Sequence, residues 1–521
     1  MQPDKILRSA SVISALTLLS RAFGMVRDVC IAYFFGTSLI ASAFFIAFTL
    51  PNLFRRLFGE GALSAAFVPV FVETQRTEGQ AAAHLFARRI GTLLGIVLLL
   101  ITLLGMLLFT LGLEWGSLEA KWLFTFELAR IMFPYLIFIC LAALAMGLLH
   151  AGGHFFMPAL SPTLLNLTLI GAMLLFFPAE ACELERARLL ALAVLLSGTL
   201  QLGTLLPPLK KQGACFRPAH PLHDPKVSRV LTLMAPAALG VAITQLNVVL
   251  DRIIALWIGD WAPAALFYSE RMIYFPLGLI ATALGSVLLP TFSRQAADAD
   301  PASMTRTLQN ALRHMLLVML PATLGLFWLA TPILEAIFDW KGSFNTASTA
   351  LAARSLMAYA PGLLIFSAAK LVIPAFYALQ DTRTPVRIGL WTVGINLTLN
   401  LLSVWLLPTY WKHAGMALST VLAEGAGLIC LLRALDGRLP RLGYGALGRC
   451  FLRLLWRAVL MAMGSGLFYQ LLSCTVEVGT KSGELLSLAG TILLSVGVYL
   501  WLVRRLPEWQ ELRDALARKN G

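Results

Sequence analysis

Gly91-Thr-Leu-Leu-Gly-Ile-Val-Leu-Leu-Leu-Ile-Thr-Leu-Leu-Gly-Met-Leu-Leu-Phe-Thr-Leu-Gly-Leu113 runs for 23 residues without a charge. A helix needs about 20 apolar residues to cross the hydrocarbon core of a bilayer. Runs of this kind recur along the 521-residue chain, which is 58% hydrophobic and 13% charged. A soluble domain carries about 25% charged residues. With a mean hydropathy of +0.78, the chain is expected to have lipid as its solvent.

Working outward from that stretch, Pro, Gly and charge clusters divide the chain into about fourteen apolar segments. They fall at 8–35, 38–58, 84–113, 122–149, 157–178, 187–208, 227–258, 263–293, 306–331, 346–378, 385–407, 412–434, 447–473 and 484–504. The expected fold class is an all-α polytopic membrane protein with about 14 transmembrane helices.

The net charge is +14. In a soluble protein that would suggest nucleic acid, but here the basic residues fall in alternate loops. Lys210, Lys211, Arg217, Lys226 and Arg229 follow the sixth segment, and Arg433, Arg438, Arg441, Arg449 and Arg453 follow the twelfth. Both lie on the side of Lys5, Arg8 and the tail, so both termini are expected in the cytoplasm, with no nucleic-acid partner. The stretch from Glu508 to Lys519 reads as a solvated tail rather than an interfacial helix. The N-terminal apolar run is long and internally charged, unlike a cleaved signal peptide. The seven cysteines show no ligand spacing and read as small hydrophobes. His150 and His154, and His220 and His223, read as loop histidines.

The chain also repeats itself. Pro134 and Pro158 recur as Pro361 and Pro385, each offset by 227 residues. Ala-Phe-Val-Pro-Val-Phe (66–71) is echoed by Leu-Leu-Pro-Thr-Phe (288–292), and Arg27–Asp28 before Gly36 by Asp251–Arg252 before Gly259. These matches suggest two pseudo-symmetric, parallel six-helix lobes plus two C-terminal helices. The divisions expected are 1–210, 211–440 and 441–521. Chance agreement among proline-bearing helices is the competing account. Transporters rock such halves around a central site.

Ionisable residues near a bilayer centre cost about 2.5–3.5 kcal/mol on the insertion scale and are functional candidates by default. Arg27 lies about 13 Å from the Gly36 turn at 1.5 Å per residue, and Arg271 about 12 Å from the start of the eighth helix. Arg21 and Asp28 share a face of the first helix, and Gly24 beside them removes bulk. Two guanidinium forks at matching depth suit a phosphate or diphosphate. The alternative is that Arg27 pairs with Asp28, and Arg271 with Glu270, structurally. Arg55 and Arg56 close the second helix, where anchoring arginines also belong. Glu60, between two glycines, suggests a hinge or gate. Asp251, the Asn396–Asn400 pair, Ser419 and Thr420 offer oxygen ligands for a monovalent cation. Interhelical hydrogen bonding, or an Asp251–Arg252 pair, explains them equally well. Lys370 is another intramembrane cation. No phosphate-binding G-x-x-x-x-G-K-[ST] loop and no nucleophile–base constellation is present, so a transporter is expected rather than an enzyme.

These residues carry a resemblance. Ser-Arg-x-x-Gly-x-x-Arg-Asp (20–28), Ala-Phe-Phe-x-Ala-Phe-x-Leu-Pro-Asn-Leu-Phe-Arg-Arg-Leu-Phe-x-Glu-Gly-Ala (43–62) and Ala-Phe-Val-Pro-Val (66–70) resemble the MurJ (MviN) lipid II flippases. So do Glu-Arg-Met-Ile-Tyr-Phe-Pro-Leu-Gly (270–278), Phe-Tyr-Ala-Leu-Gln-Asp-Thr-Arg-Thr-Pro-Val (376–386) and Lys-His-Ala-Gly-Met-Ala-Leu-Ser (412–419). The resemblance spans essentially the whole chain, in order. It implies a fold of the multidrug/oligosaccharidyl-lipid/polysaccharide exporter type in the bacterial inner membrane. It implies flipping of lipid II, the undecaprenyl-diphosphate-linked peptidoglycan precursor, to the periplasmic leaflet by a monomer among membrane lipids.

The resemblance further implies that Arg21, Arg27, Arg55 and Arg271 bind the head group. Asp28 and Glu60 match the family's gate-region acids, and the spacing of Arg56 to Glu60 and of Glu270 to Arg271 adds ion pairs to the expected gate. The last two helices would form a groove for the lipid tail. Asp251, Asn396, Asn400 and Thr420 would form a sodium site, the one cofactor expected. The sequence departs from the family at Ser42, where an acid is usual, and in lacking an acid within the Asn396–Asn400 pair. A cation-coupled drug exporter, or an exporter of another polyprenyl-linked oligosaccharide, is the alternative, and a non-transporting scaffold a third. A drug site would be acidic, whereas this one is basic.

Overall fold

The computed structural model describes residues 3–57, 63–115, 118–178, 180–214, 217–220, 224–278, 282–440, 442–475 and 480–520. Every regular element among them is helical. A segment in hydrocarbon must bond its own backbone groups internally, and a helix does so within one segment.

The chain forms two compact units, Met1–Leu256 and Trp257–Gly521. The first contains α1 (Pro3–Phe35), α2 (Leu39–Leu57), α3 (Leu63–Thr77), α4 (Gln80–Glu114), α5 (Ala120–Met132), α6 (Tyr135–Ala151), α7 (Phe156–Leu175), α8 (Glu183–Lys211) and α9 (Pro225–Ile258), the last running two residues beyond it. The second contains α10 (Ala262–Pro276), α11 (Thr282–Ala297), α12 (Pro301–Trp328), α13 (Ala330–Phe338), α14 (Thr346–Tyr359), α15 (Gly362–Ala378), α16 (Arg383–Leu406), α17 (Thr409–Asp436), α18 (Tyr444–Thr475), α19 (Lys481–Val503) and α20 (Pro507–Asn520).

Helix α4 contains the 91–113 stretch and shows why the sequence reads as it does. Ile90, Leu94, Leu98, Thr102 and Gly105 form a buried stripe at helical spacing. Leu100, Leu103, Leu104, Leu107 and Leu108 face outward, 55–61% exposed. Leucines in that number on an outer face belong against acyl chains, not water. At Gly105 a Cβ would stand 2.2 Å from the Phe133 ring, so α4 and its neighbour meet at a distance only glycine permits.

Nine helices among the described residues are long and apolar enough to cross a membrane, or eleven spans if each bent pair counts as one. The pairs are α5–α6, bent by 44°, and α14–α15, bent by 45°. The reading of about fourteen also counts α1 and α2, which carry Arg21, Arg27, Asp28, Arg55 and Arg56, and α10–α11, which are individually short. The bends occur at Pro134 and Pro361, each the N-cap of the second helix of its pair. Pro158 and Pro385 are each the third residue of their helices. The 227-residue offset thus marks the same local geometry twice.

Two segments differ from the sequence reading. The chain after α2 contains a further helix, α3, which ends in Glu73, Gln75 and Arg76. Its apolar part is too short to register as a span. The stretch expected as a solvated tail is the helix α20. Glu508 is 4% exposed and bonds Arg453 at 2.7 Å, and Trp509 packs on a core of α12, α18 and α19. One buried turn therefore docks a helix whose composition reads as solvated.

Candidate functional site

The first helix ends at Phe35 because Gly36 adopts a φ of 53°, a left-handed value that glycine reaches without strain. Ile31, Ala32 and Phe35 bury the last turns. One to two turns back, that apolar packing encloses a charge: Arg27 is 8% exposed and Asp28 fully buried. Arg27 Nε and Nη2 donate to Asp28 Oδ1 at 3.0 and 2.6 Å. Arg27 Nη1 donates to Asn166 Oδ1 of α7 at 3.0 Å. Asn166 Nδ2 in turn donates to the Ser20 carbonyl at 2.9 Å. All three guanidinium nitrogens are engaged, so the structure realises the Arg27–Asp28 pair that the sequence left as an alternative. Desolvating this ion pair is offset only while every partner is kept.

Gly24 lies against Asn166, where a Cβ would make ordinary contact at 3.6 Å. Helix α1 continues unbroken through it. Arg21, partly buried and one and a half turns before Arg27, makes no hydrogen bond or ion pair with the described residues. At the end of α2, Arg55 Nε donates to Asn52 Oδ1 at 3.1 Å. The exposed Arg56 reaches Gln245 Oε1 of α9 at 3.5 Å. Ser42 is fully buried. Glu60 lies outside the described residues. Asp251 is partly buried in α9 and its neighbour Arg252 buried.

In the second unit, Arg271 of α10 is partly buried and stacks over the Phe267 ring at 5.0 Å. This is a cation–π contact. Glu270 accepts a bond from the Tyr359 hydroxyl at 3.1 Å. Lys370 of α15 is exposed.

Helix α16 buries only Thr392, Asn396 and Asn400, spaced four apart on one face. Two contacts set its antiparallel register against α17. Ser403 Oγ lies 3.1 Å from Ser419 Oγ, and a Cβ at Gly427 would stand 2.5 Å from Thr392 Oγ1. Interpolating, Asn400 comes level with Val421, one residue from Thr420, and Asn396 with Glu424. The Thr420 hydroxyl donates to the Met416 carbonyl at 3.2 Å, which leaves its oxygen able to accept a cation. No cluster of three or more His, Cys, Asp or Glu occurs among the described residues.

Sequence reasoning passed over two residues, Asn166 and Glu424. Each had a signal. Asn166 is the lone amide in the apolar run 164–175, and Glu424 the one carboxylate between Lys412 and Arg433.

Comparison with known proteins gives one answer. The family model described as "Lipid II flippase MurJ" matches residues 31–489. A "Probable lipid II flippase MurJ" of Vibrio cholerae serotype O1 is 36% identical over 445 residues, covering 83% of each chain. A "Lipid II flippase MurJ" of Burkholderia cenocepacia is 35% identical over 436 residues, 82% of this chain and 83% of that one. A solved "Lipid II flippase MurJ, inward closed conformation" matches in fold with a TM-score of 0.78 at 24% identity, over 95% of this chain and 99% of that one. An inward-facing multidrug resistance MATE family transporter of the MOP superfamily matches with a TM-score of 0.67 at 12% identity, over 84% and 99%.

Proposed function

The chain belongs to the lipid II flippase MurJ family, and from that premise we propose how it carries lipid II from the cytoplasmic to the periplasmic leaflet of the bacterial inner membrane. Both termini lie in the cytoplasm and the two units work by alternating access. The head group's diphosphate is bound by Arg21, Arg27, Arg55 and Arg271.

The observation that carries this reading is the buried Arg27–Asp28 pair inside α1. A membrane helix keeps a charge at this depth only where it is used or fully paired, and we propose that this pair exchanges. Arg27 trades Asp28 for a phosphate oxygen when substrate arrives, and Asp28 takes it back on release. Arg21 supplies a cation already without a protein partner among the described residues. Arg271, whose guanidinium lies over the Phe267 ring, is the second unit's contribution to head-group binding. Arg56, Glu60 and Glu270 serve the gates.

Asp251, Asn396, Asn400 and Thr420 are the proposed sodium ligands. Glu424, level with Asn396, supplies the carboxylate that the Asn396–Asn400 pair lacks. Oxygen ligands of this kind suit a hard monovalent ion, whose gradient then drives the cycle.

The test is complementation of a bacterium depleted of its own lipid II flippase. The chain is expected to restore peptidoglycan synthesis. Arg27→Ala and Arg271→Ala proteins, present at wild-type level, are expected to fail. Full rescue by both variants would remove the arginines from the reading.

A further inference from the structure

Unit 1 holds a cavity of about 460 Å³ at the end where α4 begins and α8 ends, among α3, α4, α6, α8 and the chain that follows α8. Its volume is that of a small-ligand pocket, roughly 300–1,000 Å³. Its two ends differ in chemistry.

At one end stand Arg88 of α4 and Arg217 of the α8–α9 linker. Arg88 gives Nε to the Arg217 carbonyl at 2.7 Å and Nη2 to the Pro218 carbonyl at 3.3 Å. These bonds orient the guanidinium but leave its charge uncompensated. Arg217 has no carboxylate partner among the described residues. Nearby, Arg89 pairs with Asp224 at 2.6 Å and Lys226 with Glu78 at 2.5 Å, while Lys210 and Lys211 at the end of α8 have no acid partner among the described residues. Two guanidinium charges at one mouth, with no carboxylate beside either among the described residues, call for an anion from outside. The Nε2 of Gln212, also on the wall, is buried without an acceptor among the described residues. It offers a further donor.

The other end is apolar. Leu144, Leu202 and Leu206 line it. At Gly95 a Cβ would meet nothing within 4 Å, so the glycine leaves room rather than filling it. Leu99, on the rim, is 49% exposed on the outer face of α4. The cavity therefore continues onto the surface that acyl chains cover.

We propose that this cavity is a binding site for an anionic glycerophospholipid, with its phosphate on Arg88 and Arg217 and one acyl chain along Gly95, Leu144 and Leu206. A free phosphate would satisfy the arginines but leave the apolar end empty, and a neutral lipid would do the reverse. The site ties α4 to the α8–α9 linker through the lipid. It stands apart from the intramembrane arginines and does not depend on the transport reading.

The experiment is native mass spectrometry of the delipidated full-length protein titrated with palmitoyl-oleoyl-phosphatidylglycerol. One lipid is expected to bind ahead of the rest, at least tenfold more tightly than palmitoyl-oleoyl-phosphatidylcholine. Arg88→Gln combined with Arg217→Gln alters only the polar end and is expected to abolish that preference. Gly95→Trp, filling the apolar end, is expected to lower phosphatidylglycerol binding at least tenfold with both arginines intact. Three results overturn the proposal: an unchanged first binding step in the arginine double variant or in Gly95→Trp, displacement of the lipid by inorganic phosphate, or displacement by equimolar undecaprenyl diphosphate that Gly95→Trp also blocks. The last would make this a place for the transported lipid.

Discussion

Arg27 of α1 and Asn166 of α7 are joined by a 3.0 Å hydrogen bond, and the same carboxamide holds the Ser20 carbonyl on α1. One side chain therefore fixes both the position of a buried guanidinium and the seating of two helices. Replacing it with Asn166→Leu leaves two partners unmatched, at a cost of about 1–3 kcal/mol for a lost buried bond. The expected result is a lower melting temperature in detergent together with impaired complementation. An unchanged melting temperature would mean that the bond holds nothing.

A charge cycle at Arg27 and Asp28 separates structure from function. Removing one partner of a buried ion pair costs about 3–5 kcal/mol, whereas replacing both with apolar residues is often neutral. Asp28→Leu is expected to be markedly less stable than wild type. Arg27→Met with Asp28→Leu is expected to recover most of that stability and still fail to support growth. If the double variant is both stable and active, the pair has no part in transport.

Sodium binding has its own signature. A ligand that binds only the folded state raises stability with its concentration. The melting temperature of the purified protein is expected to rise with sodium chloride but not with equimolar choline chloride. Asn396→Ala and Glu424→Gln are each expected to flatten that response. A sodium response that survives both substitutions would place the ion elsewhere.

Outside the spans, Asp381 makes a pH prediction. Burial pushes its carboxyl up, but bonds from Thr384 and Arg438 outweigh it and hold the group down at about 2. A carboxylate depressed from its ordinary value, about 3.9, stabilises fully above that value and loses its contribution as pH falls through about 2. Asp381→Asn is therefore expected to be less stable than wild type at pH 6, with the difference closing between pH 4 and 2. A constant difference across that range would show that the ion pair is not its source.

Much of this was legible in the sequence, for reasons the helices make plain. The 91–113 stretch announces a span because one stripe packs and the rest faces lipid. The prolines at 134 and 361 announce a shared local geometry because each caps the second half of a bent pair. What could not be read depended on partners distant in sequence. That Arg27 pairs with Asp28 could be read from adjacency, but its third acceptor, Asn166, lies 139 residues away. Helix α20 was hidden because docking by Glu508 and Trp509 leaves no mark in a composition rich in charge. Glu424 stands out in sequence as a lone acid, but its relation to Asn396 shows only in the α16–α17 register.

The most direct measurement follows the substrate itself. In cells whose only lipid II flippase is this chain, the fraction of lipid II exposed at the periplasmic face can be read by its cleavage with an externally added phosphodiesterase. Wild-type protein is expected to give extensive cleavage. Arg271→Ala, present in the membrane at equal level, is expected to leave intact lipid II accumulating inside. Cleavage at the wild-type rate in that variant would contradict the account.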